Sequence, residues 1–221
     1  AVTAPGAQYV DSARFNALEH SRSDDNWDVA ALARYVASTR LDIEFGYAHK
    51  VRSPNLYERY TWSTWAMAAT MNNFVGDGNG YVGNPGLDPE QADTLSAALD
   101  WHSGDRSRQL RITPFYTLVD DYIDAVPRPG FMVDSFNVLD FANQEARLYG
   151  VDVFGRMPIA RIAAGELGLE TLVSYTNGEN RDSDDGLYNI MPLNATIALT
   201  QRIGGWDNAI ELVLVDAKDD L

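Results

Sequence analysis

A period of two runs through most of this chain, and it constrains the fold more than any single residue does. Residues 39 to 48 read TRLDIEFGYA, so Leu41, Ile43, Phe45 and Tyr47 share one face of an extended segment while Asp42, Glu44, Gly46 and Ala48 share the other. Residues 94 to 102 repeat the pattern, with Leu95, Ala97, Leu99 and Trp101 on one side and Thr94, Ser96, Ala98, Asp100 and His102 on the other. It returns at 166 to 176 (Leu167, Leu169, Thr171, Val173, Tyr175) and at 193 to 202 (Leu193, Ala195, Ile197, Leu199). Such alternation marks strands with one apolar and one wet face. Residues 27 to 37, 108 to 123, 141 to 156 and 207 to 216 read as extended more weakly, for about eight strands in all. Pro114 has no N–H to give a ladder and predicts a bulge or break inside its strand. No segment carries a helical stripe, and no internal repeat stands out.

The connections alternate too. Short ones fall near 38 to 40, at 103 to 107 (SGDRS), 157 to 164 (MPIARIAA) and 203 to 205 (IGG); long ones fall at 50 to 90, 124 to 140 and 177 to 189. In an antiparallel meander every second connection lies on the same rim, so one rim has tight turns and the other long polar loops. Outer-membrane β-barrels have this layout, with short periplasmic turns and longer extracellular loops. Lipid demands an apolar outer face and backbone groups paired between strands, while a wet lumen tolerates Asp42, Glu44, Asp100 and Glu170. Tyr47, Trp101, Tyr116, Tyr149 and Tyr175, near strand ends, suit aromatic girdles. The alternative is a small closed β-barrel or a soluble β-sandwich acting as a binding or adhesion module. In a sandwich Leu41, Ile43, Leu95, Leu99, Ile197 and Leu199 would all be buried.

Charge and composition narrow the partners. Lys plus Arg is 17 against 32 Asp plus Glu, a formal charge of -15. That excludes non-specific nucleic-acid binding, which needs cationic surface to release counterions. It attracts cations, or simply solvates loops. With no cysteine there are no disulfides and no thiolate metal sites. No run of 18 apolar residues offers a transmembrane helix. The first ten residues, AVTAPGAQYV, lack the basic and apolar regions of a signal peptide.

Four stretches in order, RSPNLYERY, GNPGLDPEQADTLSAALDW, FYTLVDDYIDAV and NQEARLYGVDVFG, resemble the C-terminal half of TonB-dependent outer-membrane receptors, and YNIMPLNATIALTQRIGGW resembles that family's proline-led entry into a further strand. The residues carrying the resemblance are Arg52, Pro54 and Tyr57; Gly83, Asn84, Pro85, Leu87, Pro89 and Glu90; Asp121, Tyr122 and Ile123; and Tyr149, Gly150 and Val151. The resemblance implies an all-β, antiparallel transmembrane barrel portion, 1 to 221, from a barrel of about 22 strands filled by a plug. The plug and the remaining strands are not in this chain, and its last residues, VDAKDDL, look like the start of another loop. A fragment of an active transporter is therefore expected, in a Gram-negative outer membrane with its long loops extracellular. Its implied partners are outer-membrane lipid, the TonB energy-transducing complex acting through the N-terminal part, and a small-molecule or metal ligand. The resemblance is closest to the metal and copper branch, and a metal ion or chelate, copper or siderophore-type, is then the cargo rather than a resident cofactor.

Local chemistry offers few candidates. Gly83, Asn84, Pro85 and Gly86 are turn residues that return the long loop to the rim, and Pro89 biases Asp88 towards extended backbone. A loop of this length captures substrate or merely covers surface. Met67 and Met71 in WAMAATMNN would share a face if helical, and thioethers suit Cu(I); the alternative is packing with Trp62 and Trp65. His102, with Asp100 two residues before it on the same face, could hold a divalent cation, or be solvated; His49 also lies at a strand end beside acidic residues. VGDGNGYVG fails as a calcium loop at both ends, and RDSDDG reads as an exposed loop tip. No nucleophile motif, phosphate loop or His-x-x-x-His pair is present, so no enzymatic activity and no catalytic residue is expected.

Overall fold

A computed structural model describes residues 7–65, 67, 71, 76, 78–133, 136–163 and 165–218. In chain order the elements are α1 (Ala7–Asn16), β1 (Val29–Ser38), β2 (Leu41–Arg52), α2 (Leu56–Tyr60), β3 (Gly80–Val82), β4 (Glu90–His102), β5 (Gln109–Val133), β6 (Phe136–Ile162), β7 (Gly165–Asn180), β8 (Asp185–Gly186), β9 (Asn194–Ile203) and β10 (Trp206–Val215). One sheet runs in the order β1-β2-β4-β5-β6-β7-β9-β10, open from β1 to β10, with β3 added to β6 and β8 to β7. The β1–β2, β6–β7, β7–β9 and β9–β10 pairings are antiparallel, and β3 runs parallel to β6.

All eight expected strands are there, with tight connections for β1–β2, β4–β5, β6–β7 and β9–β10 and long ones after β2 and β7. Three expectations need correction. Residues 124 to 140 are largely strand, as are 157 to 162, because β5 extends to Val133 and β6 runs from Phe136 to Ile162. The break expected at Pro114 is not there, since β5 runs through it as strand, and a left-handed residue falls instead at Asp121 (φ 57). A register shift does fall at a proline, between Pro158 and Ala160. Finally, α1 and α2 are helices where none was read.

The chain divides into two compact units, one from the described residues of Ala1–Trp27, Lys50–Gln91 and Asp120–Glu145, the other from those of Asp28–His49, Ala92–Val119 and Ala146–Leu221. The second unit is sheet, and its registers fix which residues share a face. Val151 pairs Tyr175, Val173 pairs Ala195, Thr171 pairs Ile197 and Leu169 pairs Leu199; Ile197 and Leu199 in turn pair Leu212 and Ile210. These residues make one continuous apolar face. Leu95, Leu99 and Leu199 on it are 62%, 47% and 43% exposed, and Leu41, Ile43 and Ile197 are half-exposed. None is core, which removes the sandwich. On β6 the face runs from Tyr149 to Met157, roughly 26 Å along the strand, or about 20 Å across a bilayer at a ~40° tilt, near the ~25 Å apolar band of outer-membrane barrels. Its aromatics Tyr47, Trp101, Tyr116, Tyr149 and Tyr175 are all exposed. Beyond Tyr47 and Tyr149 the same parity turns polar: His49 lies 3.0 Å from Asp93, and Arg147 bonds Glu179. These polar pairs mark the edge of the band.

The opposite face carries compensated charge. Arg34 donates to Asp42 at 2.6 Å, and Arg111 bridges Glu44 and Asp100. Gly150 lies on this face, where a Cβ would stand 2.8 Å from the Phe115 ring and 2.2 Å from the Tyr175 carbonyl oxygen. Its lack of a side chain is therefore a packing requirement between neighbouring strands.

In the first unit, α2 begins with a reciprocal cap: the Asn55 side chain accepts from Glu58 N, and Asn55 N donates to the Glu58 carboxylate. Tyr57 on that helix meets Phe141 edge-on at 5.7 Å, and Phe141 stacks on Tyr81 at 5.6 Å. Pro85, Leu87 and Val138 are fully buried. This small core orders part of the long connection between β2 and β4.

Candidate functional site

Most of the residues that carry the family resemblance meet at the roots of the long loop, whereas Tyr149, Gly150 and Val151 lie on β6 in the second unit. Glu90 accepts from Arg52 Nε with one oxygen and from Ile123 N, at 2.8 Å, with the other. Arg52 also donates to Glu58, 3.0 Å away, so one guanidinium ties the end of β2 to α2 and to the start of β4. Asn143 works in parallel: its side chain accepts from Asp88 N at 2.9 Å and donates to the carbonyls of Asp88 and Asp121. Gly83 fits because its Cα lies against the Arg59 backbone, where a Cβ would come within 2.6 Å. Pro54 and Pro85 are buried, as are Leu87 and Ile123. Tyr122 and Pro89 are half-buried beside them. Charge-assisted bonds of this kind fix geometry well, and here they fix the loop's two ends.

Arg59 is the residue that sequence reasoning missed. Its side chain is 8% exposed, donating to Asp24 (15% exposed, 2.9 Å) and to the Leu87 carbonyl at 3.1 Å. It clasps the stretch before β1, α2 and the returning arm of the loop. Two further bonds strap the same stretch down: Tyr60 Oη donates to the His20 carbonyl at 2.9 Å, and Thr64 N donates to the buried Asp11 carboxylate at 2.8 Å. A cavity of about 230 Å³ lies between α1 and the loop.

The Arg59 hydrogen bond holds the Asp24 carboxyl below the usual carboxylate range, against the opposing effect of burial. A depressed folded-state pKa contributes stability that is complete above the unfolded-chain value of about 3.9 and is lost as pH falls through the folded one. Amide protection factors in Lys50–Gln91 are therefore expected to fall below about pH 4, and an Asp24→Asn variant to show a weaker acid dependence. Equal profiles for the two proteins would contradict this.

Met67 and Met71 are both helical residues, 58% and 79% exposed, so neither is packed away beneath Trp62 and Trp65. Asp100 and His102 are engaged separately. Asp100 accepts from Gln109 and Arg111, while the buried His102 places Nδ1 3.0 Å from the Ser103 carbonyl oxygen. Among the described residues, no three His, Cys, Asp or Glu side chains are grouped to hold a metal ion. Asp77, in the failed calcium loop, lies outside the described residues. Asp182 and Ser183, in the acidic tip, donate their backbone N–H groups to Asn180 Oδ1 and are exposed. In the tight turn after β4, Ser103 and Ser107 donate to Asp105 and hold its carboxyl down to about 2.

Residues 4–218 match the family model described as TonB dependent receptor-like, beta-barrel. Comparison with curated proteins by sequence gives no match. Among solved structures the chain is similar to copper transporter OprC, at a TM-score of 0.68 and 19% identity over 90% of this chain and 28% of that one. It is also similar to the siderophore receptor PirA from Acinetobacter baumannii (TM-score 0.59, 13% identity, 85% of this chain and 28% of that one). A variant of the ferric enterobactin receptor PfeA from Pseudomonas aeruginosa gives a TM-score of 0.58 at 17% identity, over 81% and 26%. At these identities the likeness is one of fold, and the chain spans little more than a quarter of each structure.

Proposed function

Because the chain belongs to the TonB-dependent receptors, its residues 4–218 matching that family's β-barrel, we propose that it is part of an outer-membrane active transporter that binds and imports a scarce metal ion or metal chelate. The observation that carries the reading is the exposed apolar band of the second unit, bounded by tyrosines and then by charge. A face of that kind is stable only against lipid. Long loops lie outside the cell and capture the cargo. The work of import comes from the inner membrane, relayed by TonB to the receptor's N-terminal part. The fold likeness to a copper transporter over 90% of the chain favours copper, with a siderophore-bound metal second.

Met67 and Met71 are the pair carried forward as ligands. Both are exposed in the long loop, and thioether sulfur is the softest donor in this cysteine-free chain. Asp100 and His102 are left aside, since Asp100 is committed to Gln109 and Arg111. The test is uptake of radiolabelled copper at limiting concentration by cells carrying the full-length receptor. Deleting the receptor is expected to abolish it, and the double variant Met67→Leu, Met71→Leu to reduce it about tenfold, as the loss of roughly 1.4 kcal/mol of capture would. Uptake of copper unchanged by deletion, with loss of uptake of a ferric siderophore instead, would move the cargo to the chelate.

A further inference from the structure

The apolar face of the second unit dips near its tight-turn rim. Gly155 on β6 pairs Thr171 on β7, so a pair of little bulk stands between Val153 with Val173 and Met157 with Leu169. Trp101 from the end of β4 and Leu110 from the start of β5 wall the dip together with Met157 and Leu169, giving a groove of about 360 Å³. Trp101, Leu110 and Met157 are exposed, so the groove opens outward. An apolar cavity of about 150 Å³ takes the six carbons of a benzene ring, and by that measure this groove takes an acyl segment of about a dozen carbons. Arg108 stands at its mouth. It shares the parity of Leu110, lies roughly 7 Å nearer the rim, and lines the same groove. Its backbone is tied to Ser103 in both directions, but among the described residues its side chain has no hydrogen bond or ion pair. The carboxylate of that turn, Asp105, is taken by Ser103 and Ser107, and Arg156 donates to the Arg106 carbonyl. A cation without a counterion is left at one end of an apolar groove.

We infer that this groove holds one phospholipid of the periplasmic leaflet, with an acyl chain over Gly155 and Thr171 and the phosphate on Arg108. The inference rests on the reading of this face as lipid-facing and of the tight-turn rim as periplasmic. Chain and charge fit the groove together. Hydrocarbon lies where the lining is apolar, Trp101 sits at head-group depth as interfacial aromatics do, and a guanidinium offers phosphate oxygens two parallel donors. A lipid elsewhere slides along a smooth face, whereas this one is fixed by shape at one end and by charge at the other. The site is separate from cargo capture.

The test is native mass spectrometry of the full-length receptor in detergent, equilibrated with dioleoyl phosphatidylglycerol and, as the same chains without the phosphate, dioleoylglycerol. Wild type is expected to retain one phosphatidylglycerol more than Arg108→Gln does, and to hold that copy at least about tenfold more tightly than dioleoylglycerol, as a charge-assisted bond to arginine requires. Arg108→Lys is expected to keep it, because an ammonium also pairs with phosphate. Thr171→Leu, which fills the dip and leaves the arginine in place, is expected to lose it. The same phosphatidylglycerol count in wild type and Arg108→Gln, equal retention of the two lipids, or a count indifferent to Thr171→Leu would each overturn the site. Fractionation of the wild-type receptor with the outer membrane is scored in the same preparations. Its absence there, and not any lipid count, would overturn the lipid-facing reading itself.

Discussion

Ile197→Arg is expected to block assembly of the receptor into the outer membrane, while Thr196→Arg, one residue away, assembles. Ile197 sits mid-way along the apolar face, with Thr171 on one side and Leu212 on the other at the same level. Thr196 points to the opposite face, opposite Leu172 and Val213. A cation at the bilayer midplane costs about 2–4 kcal/mol in a transmembrane barrel, whereas lumen positions tolerate charge. The check is the heat-modifiable, folded fraction in isolated outer membranes. The first variant should be largely unfolded or degraded and the second close to wild type. Equal assembly of both would remove lipid from the apolar face. The contrast between adjacent residues matters because a general intolerance of arginine in β9 would affect both.

The second large effect is at Arg59. Arg59→Met removes one partner of a pair shielded from water, leaving Asp24 without its guanidinium and the Leu87 carbonyl without a donor. Breaking such a pair costs about 3–5 kcal/mol, more than the pair itself contributes. The loss should be local. Amide exchange should accelerate by two or more orders of magnitude for Gly83 and Asn84, whose N–H groups bond the Thr61 and Glu58 carbonyls. The paired residues of β7 and β9 should keep their protection. A change worth less than about 1 kcal/mol would place Arg59–Asp24 among ordinary surface pairs.

The sheet was legible because its cause is repeated at every strand. Lipid on one side and water on the other impose the same alternation on Leu41 to Tyr47, Leu95 to Trp101 and Leu193 to Leu199, so even weak segments reinforce one another. Where that cause stops, so does the signal. Past the band that cause is gone: Ile123 and Val138 are buried, and residues 124 to 140 show no period two, so the strand there reads as a loop. α1 fails for a related reason. Tyr9 and Val10 are exposed, and the helix is held through the carboxylate of Asp11 rather than an apolar stripe. Arg59 looks like any other arginine in a charged stretch, since its burial depends on Asp24 and Leu87, remote in sequence. The resemblance singled out Arg52 and Glu90 without saying why they matter. Their bond, with Ile123 N on the second oxygen, shows that this part of the motif anchors loop roots and need not touch a ligand.

The central claim is that this sheet lies in the outer membrane with its long-loop rim facing out, and the absence of cysteine makes it directly testable. Single cysteines would be placed at Ser183→Cys in the exposed acidic tip and at Gly104→Cys in the exposed turn after β4, in the full-length receptor with any cysteine elsewhere replaced. Intact cells would then be treated with a membrane-impermeant maleimide. The account predicts that Ser183→Cys is labelled on intact cells and Gly104→Cys only after the outer membrane is permeabilised. Labelling of Gly104→Cys from outside, alone or together with Ser183→Cys, would contradict it.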